Sequence, residues 1–201
     1  MVCYRCSVGT DSNRHRPRYG EGREALLEAA IRVVARGGLR QLTYRAVAGE
    51  AGVTHGLVAH HFGSRDALLE EALRYALAKS VATTSLESGT TNIADFAREL
   101  VATVRADPDL QAFQYELLLE ARRQPQLRRY AEELYDTYRD ATRRQTKALG
   151  LDDDAFADVV FAALDGVVFQ LLATDDADTA DGTLERLRHL ISNLLTQASH
   201  P

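Results

Sequence analysis

The sequence predicts an all-α fold, and three observations carry that reading. Apolar residues recur at three- and four-residue spacing through most of the chain, the period of a helix with one buried face. Gly, Pro and small capping residues punctuate that pattern at helix-length intervals. No run of alternating β-branched residues, as a half-buried strand requires, interrupts it.

Residues 1–20 are polar, Arg-rich and aperiodic, and read as a disordered arm. From Arg23, the residues Leu26, Leu27, Ala30, Ile31 and Val34 mark a first helix, stopped by Gly37-Gly38. Thr43 is placed to cap a second helix, Tyr44–Ala51, which Gly52 ends. Thr54 caps a third, short helix to about Phe62. Gly63-Ser64 breaks and recaps the chain, and a long fourth helix runs from Arg65 to about Val81. The small-polar stretch 83–91 is the best candidate boundary. A fifth helix is expected over about Asn92–Arg105. Asp107-Pro108 opens a sixth, reaching about Arg123, with Pro at the position where its missing N–H is harmless. Pro125 opens a seventh, stopped by Gly150. The eighth, about Asp153–Thr174, is apolar on more than one face. Residues 175–181 read as an acidic loop, and the ninth helix as about Thr183–Gln197.

Composition narrows the class. A chain of 201 residues, 26% charged, has the make-up of a soluble globular protein of one domain or two small ones. No apolar run approaches the roughly 20 residues that span a membrane, and no apolar signal segment opens the chain, which argues for the cytoplasm. The two cysteines, Cys3 and Cys6, have only His15 near them, too few ligands for zinc. Net charge is −5, but it is unevenly spread. Residues 1–80 hold 12 Lys/Arg against 8 Asp/Glu, and residues 81–201 hold 12 against 21. A basic end on an acidic body is the pattern expected when one end faces phosphate.

Residues 43–69 carry the motif. Ala48 and Ala51 are small on the inner face of the second helix, Gly52 makes the tight turn, and Val53 fills the angle between the helices. That is a helix-turn-helix, whose second helix enters the major groove of DNA. Thr43, Val47, Ala48, Ala51, Gly52, Val53, Thr54, Gly56, Val58, His61, Phe62, Ser64, Arg65 and Leu68 stand in register, without insertion, with the pattern of the TetR regulator family. The segment Arg23–Leu73 therefore resembles that family. Members usually carry Tyr where this chain has Ala59, which removes one contact to phosphate or base, about 1 kcal/mol as an ordinary hydrogen bond. They carry Lys where this chain has Arg65, which keeps the charge.

The resemblance implies a reader over residues 21–66 and a ligand-binding and dimerisation region over 67–201. Thr43, Tyr44, Arg45, His61 and Arg65 are expected at the DNA backbone, although His61 can equally pack beside Phe62. Thr54, His55, Gly56, Leu57 and His60 are expected at the groove floor, the histidines facing guanine and Leu57 a thymine methyl. Arg14, Arg16 and Arg18 read either as a minor-groove arm or as a solvated tail. His55, His60 and His61 lack the acidic or Cys partners of a zinc site, so no metal and no cofactor are expected.

Residues 113–149 also resemble the family's C-terminal half. In that family the effector lies among helices five to eight. Phe96, Leu100, Phe113, Leu117, Tyr130, Tyr138, Phe161 and Phe169 are then candidate walls, and Gln114 and Gln170 candidate polar anchors; plain core is the competing reading for each. Helices eight and nine pair with their two-fold mates in the family, which marks Val160, Leu164, Val167, Leu171, Leu187, Ile191 and Leu194 as the expected homodimer interface. Asp165-Gly166 inside helix eight reads either as a site of close helix approach or as a tolerated glycine costing about 1 kcal/mol.

No GxSxG, HExxH, phosphate-binding loop or dinucleotide fingerprint is present, so an enzyme is not the expected class. The implied function is a one-component repressor that binds two-fold operator DNA as a homodimer and is released by a mainly apolar small molecule. The alternative is a small-molecule-binding module whose DNA reading is weakened or lost, for which Ala59 is the support.

Overall fold

A computed structural model describes residues 19–83 and 91–198, which form nine α-helices and no strand. The helices are α1 (Tyr19–Gly37), α2 (Tyr44–Ala51), α3 (His55–Phe62), α4 (Arg65–Thr83), α5 (Leu100–Ala106), α6 (Pro108–Ala121), α7 (Arg128–Ala148), α8 (Asp154–Thr174) and α9 (Ala177–Ala198). Cys3, Cys6, Arg14, His15, Arg16 and Arg18 of the expected arm, and nearly all of the expected boundary stretch at 83–91, lie outside the described residues.

Two buried apolar clusters hold the chain together. The first joins α1 to α4 and includes Leu110, Phe113 and Leu117 of α6 and Leu134 of α7. The periodic residues Leu26, Leu27, Ala30, Ile31 and Val34 are all buried there, each large side chain contributing about 1.5–3 kcal/mol. The second joins Phe96, Leu100 and Val104 to Val160, Leu164, Val167 and Leu171 of α8 and Leu184 and Ile191 of α9. The packing therefore does not divide at residue 66. α6 shares its core with the helices that precede it.

Several boundaries differ from the sequence reading, each for a local reason. α1 opens at Tyr19, inside the expected arm. The fifth helix is not continuous. Asn92 Oδ1 accepts from the Ala94 N–H at 3.1 Å and caps a single 3-10 turn, Ile93–Asp95. Arg188 Nη1 donates to the Phe96 carbonyl at 3.0 Å, and Ala97 turns left-handed at φ 51 before α5 begins. Burying Phe96 against the second cluster breaks the helix there. Pro125 opens a 3-10 turn, Pro125–Leu127, rather than α7 itself. The expected acidic loop is the first turn of α9. Asp176 accepts from the Thr179 hydroxyl at 2.6 Å and from its N–H at 3.0 Å, which holds the carboxyl below its usual range. Carboxylates at a helix start are favoured by its dipole.

α8 corrects two readings. It is long and apolar enough, by length and composition, to cross a membrane, contrary to the expectation that no segment approaches that. Its apolarity has another explanation within the fold, because one stripe is buried inside this chain. That stripe is Val160, Leu164, Val167 and Leu171, four of the residues assigned to the dimer interface; Ile191 is likewise interior and Leu187 packs against the same cluster. Helical periodicity identified a buried stripe, and within this chain that stripe faces the second cluster. The outward apolar residues are Val159, Phe169, Leu190 and Leu194, of which only Leu194 was among those expected.

Candidate DNA-reading surface and ligand cavity

The α2–turn–α3 unit is built by local backbone chemistry. Thr43 Oγ1 accepts from the Ala46 N–H at 3.1 Å, the N-cap expected of it. Val47 and Ala48 are buried. Gly52 takes φ 69, where a side chain is strained, and Val53 N then returns to the Ala48 carbonyl at 2.9 Å. Thr54 occupies the N-cap position of α3 but makes no capping bond with its side chain. Val58 and Phe62 anchor the inner face of α3, and the Arg23 guanidinium lies 5.4 Å from the Phe62 ring centre.

Everything expected at the groove floor lies on the outer face of this unit. Thr54, His55, Gly56, Leu57 and His60 are exposed, as are Thr43 and Arg45 beside them. Tyr44 is half-buried, 6.4 Å from the His55 ring, and its hydroxyl is enclosed without a hydrogen-bond partner. His61 is half-buried, its ring between those of His60 (5.8 Å) and Phe62 (6.2 Å). A Cβ on Gly56 would meet nothing within 4 Å, and its φ is ordinary, so the fold itself does not require glycine there.

Arg65 is placed differently from the free phosphate contact expected of it. Its Nε donates to the Leu42 carbonyl and its Nη2 to the Leu39 carbonyl, both at 2.8 Å. Those carbonyls belong to the first residue and the C-cap of the 3-10 turn Leu39–Gln41, which joins α1 to α2. Arg65 therefore clamps the start of α4 to the base of the reader. Ser64 Oγ caps α4 by accepting from the Ala67 N–H at 3.1 Å.

A cavity of about 60 Å³ lies among α5, α6, α7 and α8. Of the ten residues expected to line it, Leu100, Gln114, Tyr138 and Phe161 do so. Phe113, Leu117 and Tyr130 are instead core of the first cluster, and Phe96 is core of the second. Phe169 is half exposed, edge-on to Tyr115 at 5.2 Å, and Gln170 faces outward. On α6 the large apolar residues Phe113 and Leu117 face the reader. The opposite side carries Gln111, Gln114, Tyr115 and Leu118 into the cavity.

The cavity wall is polar at two places. Gln111 and Gln114 both donate to Ser80 Oγ of α4, at 3.2 and 2.9 Å, and the Tyr138 hydroxyl donates to Gln114 Oε1 at 2.8 Å. Burial raises the Tyr138 hydroxyl above its ordinary range. Across the cavity, the Tyr115 hydroxyl donates to Asp165 Oδ1 at 2.8 Å. Burial first, and the Asp165 charge second, push that hydroxyl far above its ordinary range. Sequence reasoning missed Asp165 and Tyr115. The available signal was a carboxylate in the middle of an otherwise apolar helix.

α6 is also tied to the reader by charge. Arg36 Nη2 lies 2.9 Å from Asp109 Oδ2, and Arg40 Nε lies 3.8 Å from Glu120 Oε1. Glu120 is buried and accepts from Gln124 at 2.7 Å and Arg123 at 2.9 Å, which hold its carboxyl below the usual range. The arginines are largely exposed, and such pairs contribute at most about 1 kcal/mol. The apolar contact of Leu110, Phe113 and Leu117 dominates this junction.

Comparison with known proteins agrees with this geometry. The model for "Bacterial regulatory proteins, tetR family" matches residues 26–72, and that for "Tetracyclin repressor-like, C-terminal domain" matches residues 88–195. A TetR-family structure from Streptomyces coelicolor A3 superposes with a TM-score of 0.63 at 33% identity, over 83% of this chain and 98% of that one. The multidrug binding protein EbrR complexed with proflavin is 34% identical, with a TM-score of 0.55, over 83% of this chain and 99% of that one. Its ethidium complex is 31% identical, with a TM-score of 0.57, over 85% and 99%. The transcriptional regulator BetI of Burkholderia thailandensis is 36% identical over 87 residues, which are 43% of this chain; the match spans less than half, 44%, of that relative's length.

Proposed function

Because the chain belongs to the TetR family of bacterial regulatory proteins, we propose that it is a ligand-responsive transcriptional repressor. It binds a two-fold operator as a homodimer in the cytoplasm and is released when a small molecule fills the cavity. The observation that carries this reading is the position of α6. One side of α6 walls the cavity with Gln111, Gln114, Tyr115 and Leu118, and the other side is packed into the core of the reader through Phe113 and Leu117. A molecule that displaces α6 must move the reader. α4 is coupled to the same wall through Ser80 and to the reader through Arg65. EbrR, a relative of nearly full-length match, is known with small molecules bound, which supports an effector role for this cavity.

In this reading, Thr43, Arg45 and His61 meet the DNA backbone, and Thr54, His55, Gly56, Leu57 and His60 meet base edges. The dimer forms through the outward face of α8 and α9. Val159, Gly166 and Phe169 on α8, and Leu190 and Leu194 on α9, leave apolar or open surface that the single chain does not cover. Obligate interfaces of this kind commonly bury more than about 2,000 Å². A gel shift with the DNA upstream of the protein's own gene tests the reading. Binding to that DNA in preference to scrambled DNA supports it. Indifference between the two, at all salt concentrations, leaves the alternative of a ligand-binding module that Ala59 favours.

A further inference from the structure

We propose that the cavity selects an organic cation, with Asp165 as its anchoring carboxylate and the surrounding rings as its walls. This rests on the effector reading above and deepens it: the expected ligand is no longer merely apolar.

Among the described residues, Asp165 is the single charged residue lining the cavity. No Lys or Arg among the described residues forms an ion pair with it. Its visible partner is neutral, the Tyr115 hydroxyl, at 2.8 Å to Oδ1 and 3.0 Å to the Asp165 backbone carbonyl. Arg139 lies over the rings of Tyr135 (5.5 Å) and Phe161 (5.7 Å) and pairs with Asp136 at 3.6 Å, not with Asp165. Asp165 is half-buried at the cavity wall, and its carboxylate meets a neutral hydroxyl rather than a charge of opposite sign. Its field is felt across the space: Asp165 contributes to raising the hydroxyls of Tyr115, Tyr135 and Tyr138.

The other walls suit the same ligand. Tyr115, Tyr138 and Phe161 line the cavity, with Tyr135 edge-on behind Phe161 at 5.6 Å. Aromatic faces attract cations, most strongly where water is excluded. Gln111 and Gln114 present amide groups and no second charge, so a monovalent cation satisfies the site and a dication does not. The free space of about 60 Å³ is smaller than the roughly 300–1,000 Å³ of a drug-sized site. A ligand of that size needs more room than this, and a cation seated on Asp165 takes the place of the Tyr115 hydroxyl. Tyr115 is on α6, so exchanging its hydroxyl for a cation on the carboxylate is also the movement that reaches the reader.

The test is a fluorescence titration of the full chain, without DNA, using ethidium, a permanently charged planar cation. Neutral phenanthridine, at a pH above its protonation, is the uncharged competitor. Asp165→Asn keeps an oxygen to accept from Tyr115 and removes only the charge. It is expected to weaken ethidium binding by at least about tenfold with an unchanged circular dichroism spectrum. Asp165→Glu is expected to recover most of that loss, and phenanthridine to compete poorly. The proposal is overturned if Asp165→Asn binds ethidium as tightly as the wild type, if phenanthridine competes equally, or if neither ethidium nor benzyltrimethylammonium binds at all. Operator release is measured separately with benzyltrimethylammonium, which does not intercalate. Asp165-dependent cation binding without release upholds the site and removes the induction reading. Sound operator binding with no cation binding does the reverse.

Discussion

Arg65 donates from Nε to the Leu42 carbonyl oxygen at 2.8 Å, and the same guanidinium reaches the Leu39 carbonyl with Nη2. The first residue of α4 is thus fastened to the turn that leads into α2. Hydrogen bonds from a charged donor contribute about 1.5–3 kcal/mol when buried, and less at this partly exposed site. Arg65→Ala is expected to cost roughly 1–2 kcal/mol and to lower the thermal midpoint by about 2–8 °C. Operator affinity falls as well, because the turn that leads into α2 loses its tie to α4. A residue acting only on phosphate gives another pattern: an unchanged midpoint and a salt slope smaller by about 0.9. Measuring the midpoint and the salt slope on one variant separates the two roles.

Gly56 offers a cleaner probe of the reader. A Cβ there meets no atom of the chain within 4 Å. Gly56→Ala should leave the fold intact and stabilise α3 by up to about 1 kcal/mol, the difference in helix propensity. Operator binding should nevertheless weaken, because only a close approach from outside the molecule needs the missing methyl. An alanine variant that binds the operator as well as the wild type would remove Gly56 from the interface.

What was legible in the sequence was what depends on neighbouring residues. Thr43 as a cap, Gly52 as a left-handed turn and Gly150 as a stop are local backbone chemistry, and all three hold. What was not legible was which partner each helix face meets. Phe113 and Leu117 have the spacing of a buried stripe whether they face a ligand or α1. Val159 and Val160 are adjacent in sequence, yet one is 65% exposed and the other is fully buried. Gln111 and Tyr115 look like ordinary polar positions on α6 until the cavity is seen, whereas Asp165 stands out in the sequence as a carboxylate amid apolar neighbours.

The outward face of α8 and α9 gives a prediction with two contrasting arms. Val159→Glu or Leu190→Glu puts a charge on surface that is already exposed in the single chain. These variants should fold, sediment as monomers and fail to bind a two-fold operator. Val160→Glu or Val167→Glu buries a charge inside the second cluster and should unfold that half of the protein instead. Sedimentation with circular dichroism distinguishes the arms. A Val159→Glu protein that remains dimeric would place the interface elsewhere.

Glu120 makes the junction of α6 with the reader sensitive to acid. Its carboxyl is held below the usual range, chiefly by the Gln124 and Arg123 hydrogen bonds. A depressed carboxyl stabilises the fold above its unfolded pKa, near 4.3, and that contribution is lost as pH falls through the lower folded value. Glu120→Gln keeps the shape and does not titrate. The wild type should have the higher thermal midpoint at neutral pH, and the two should converge as pH falls through the depressed folded value. A difference that stays constant at every pH at which both proteins fold would show that Glu120 contributes by shape alone.

The last prediction concerns how the cavity communicates with α4. Ser80 is fully buried, and its Oγ accepts from Gln111 and Gln114 on the cavity wall, while Gln114 in turn accepts from Tyr138. Any occupant that moves Gln114 changes the bonds of Ser80, and α4 runs from there to the Arg65 clamp. Ser80→Ala removes the acceptor shared by two buried amides, at a stability cost of about 1–3 kcal/mol. Its more specific effect should be on coupling. Ligand affinity of the free protein and operator affinity of the unliganded protein define two edges of a cycle, and the ligand-induced loss of operator affinity closes it. In the wild type that loss should lie near 1–3 kcal/mol, the usual range of allosteric coupling. In Ser80→Ala it should shrink while both single affinities change little. The measurement is a ligand titration at several operator concentrations, fitted for the coupling factor. If Ser80→Ala preserves that factor, the signal travels through the packed face of α6 alone, and the polar link to α4 is structural.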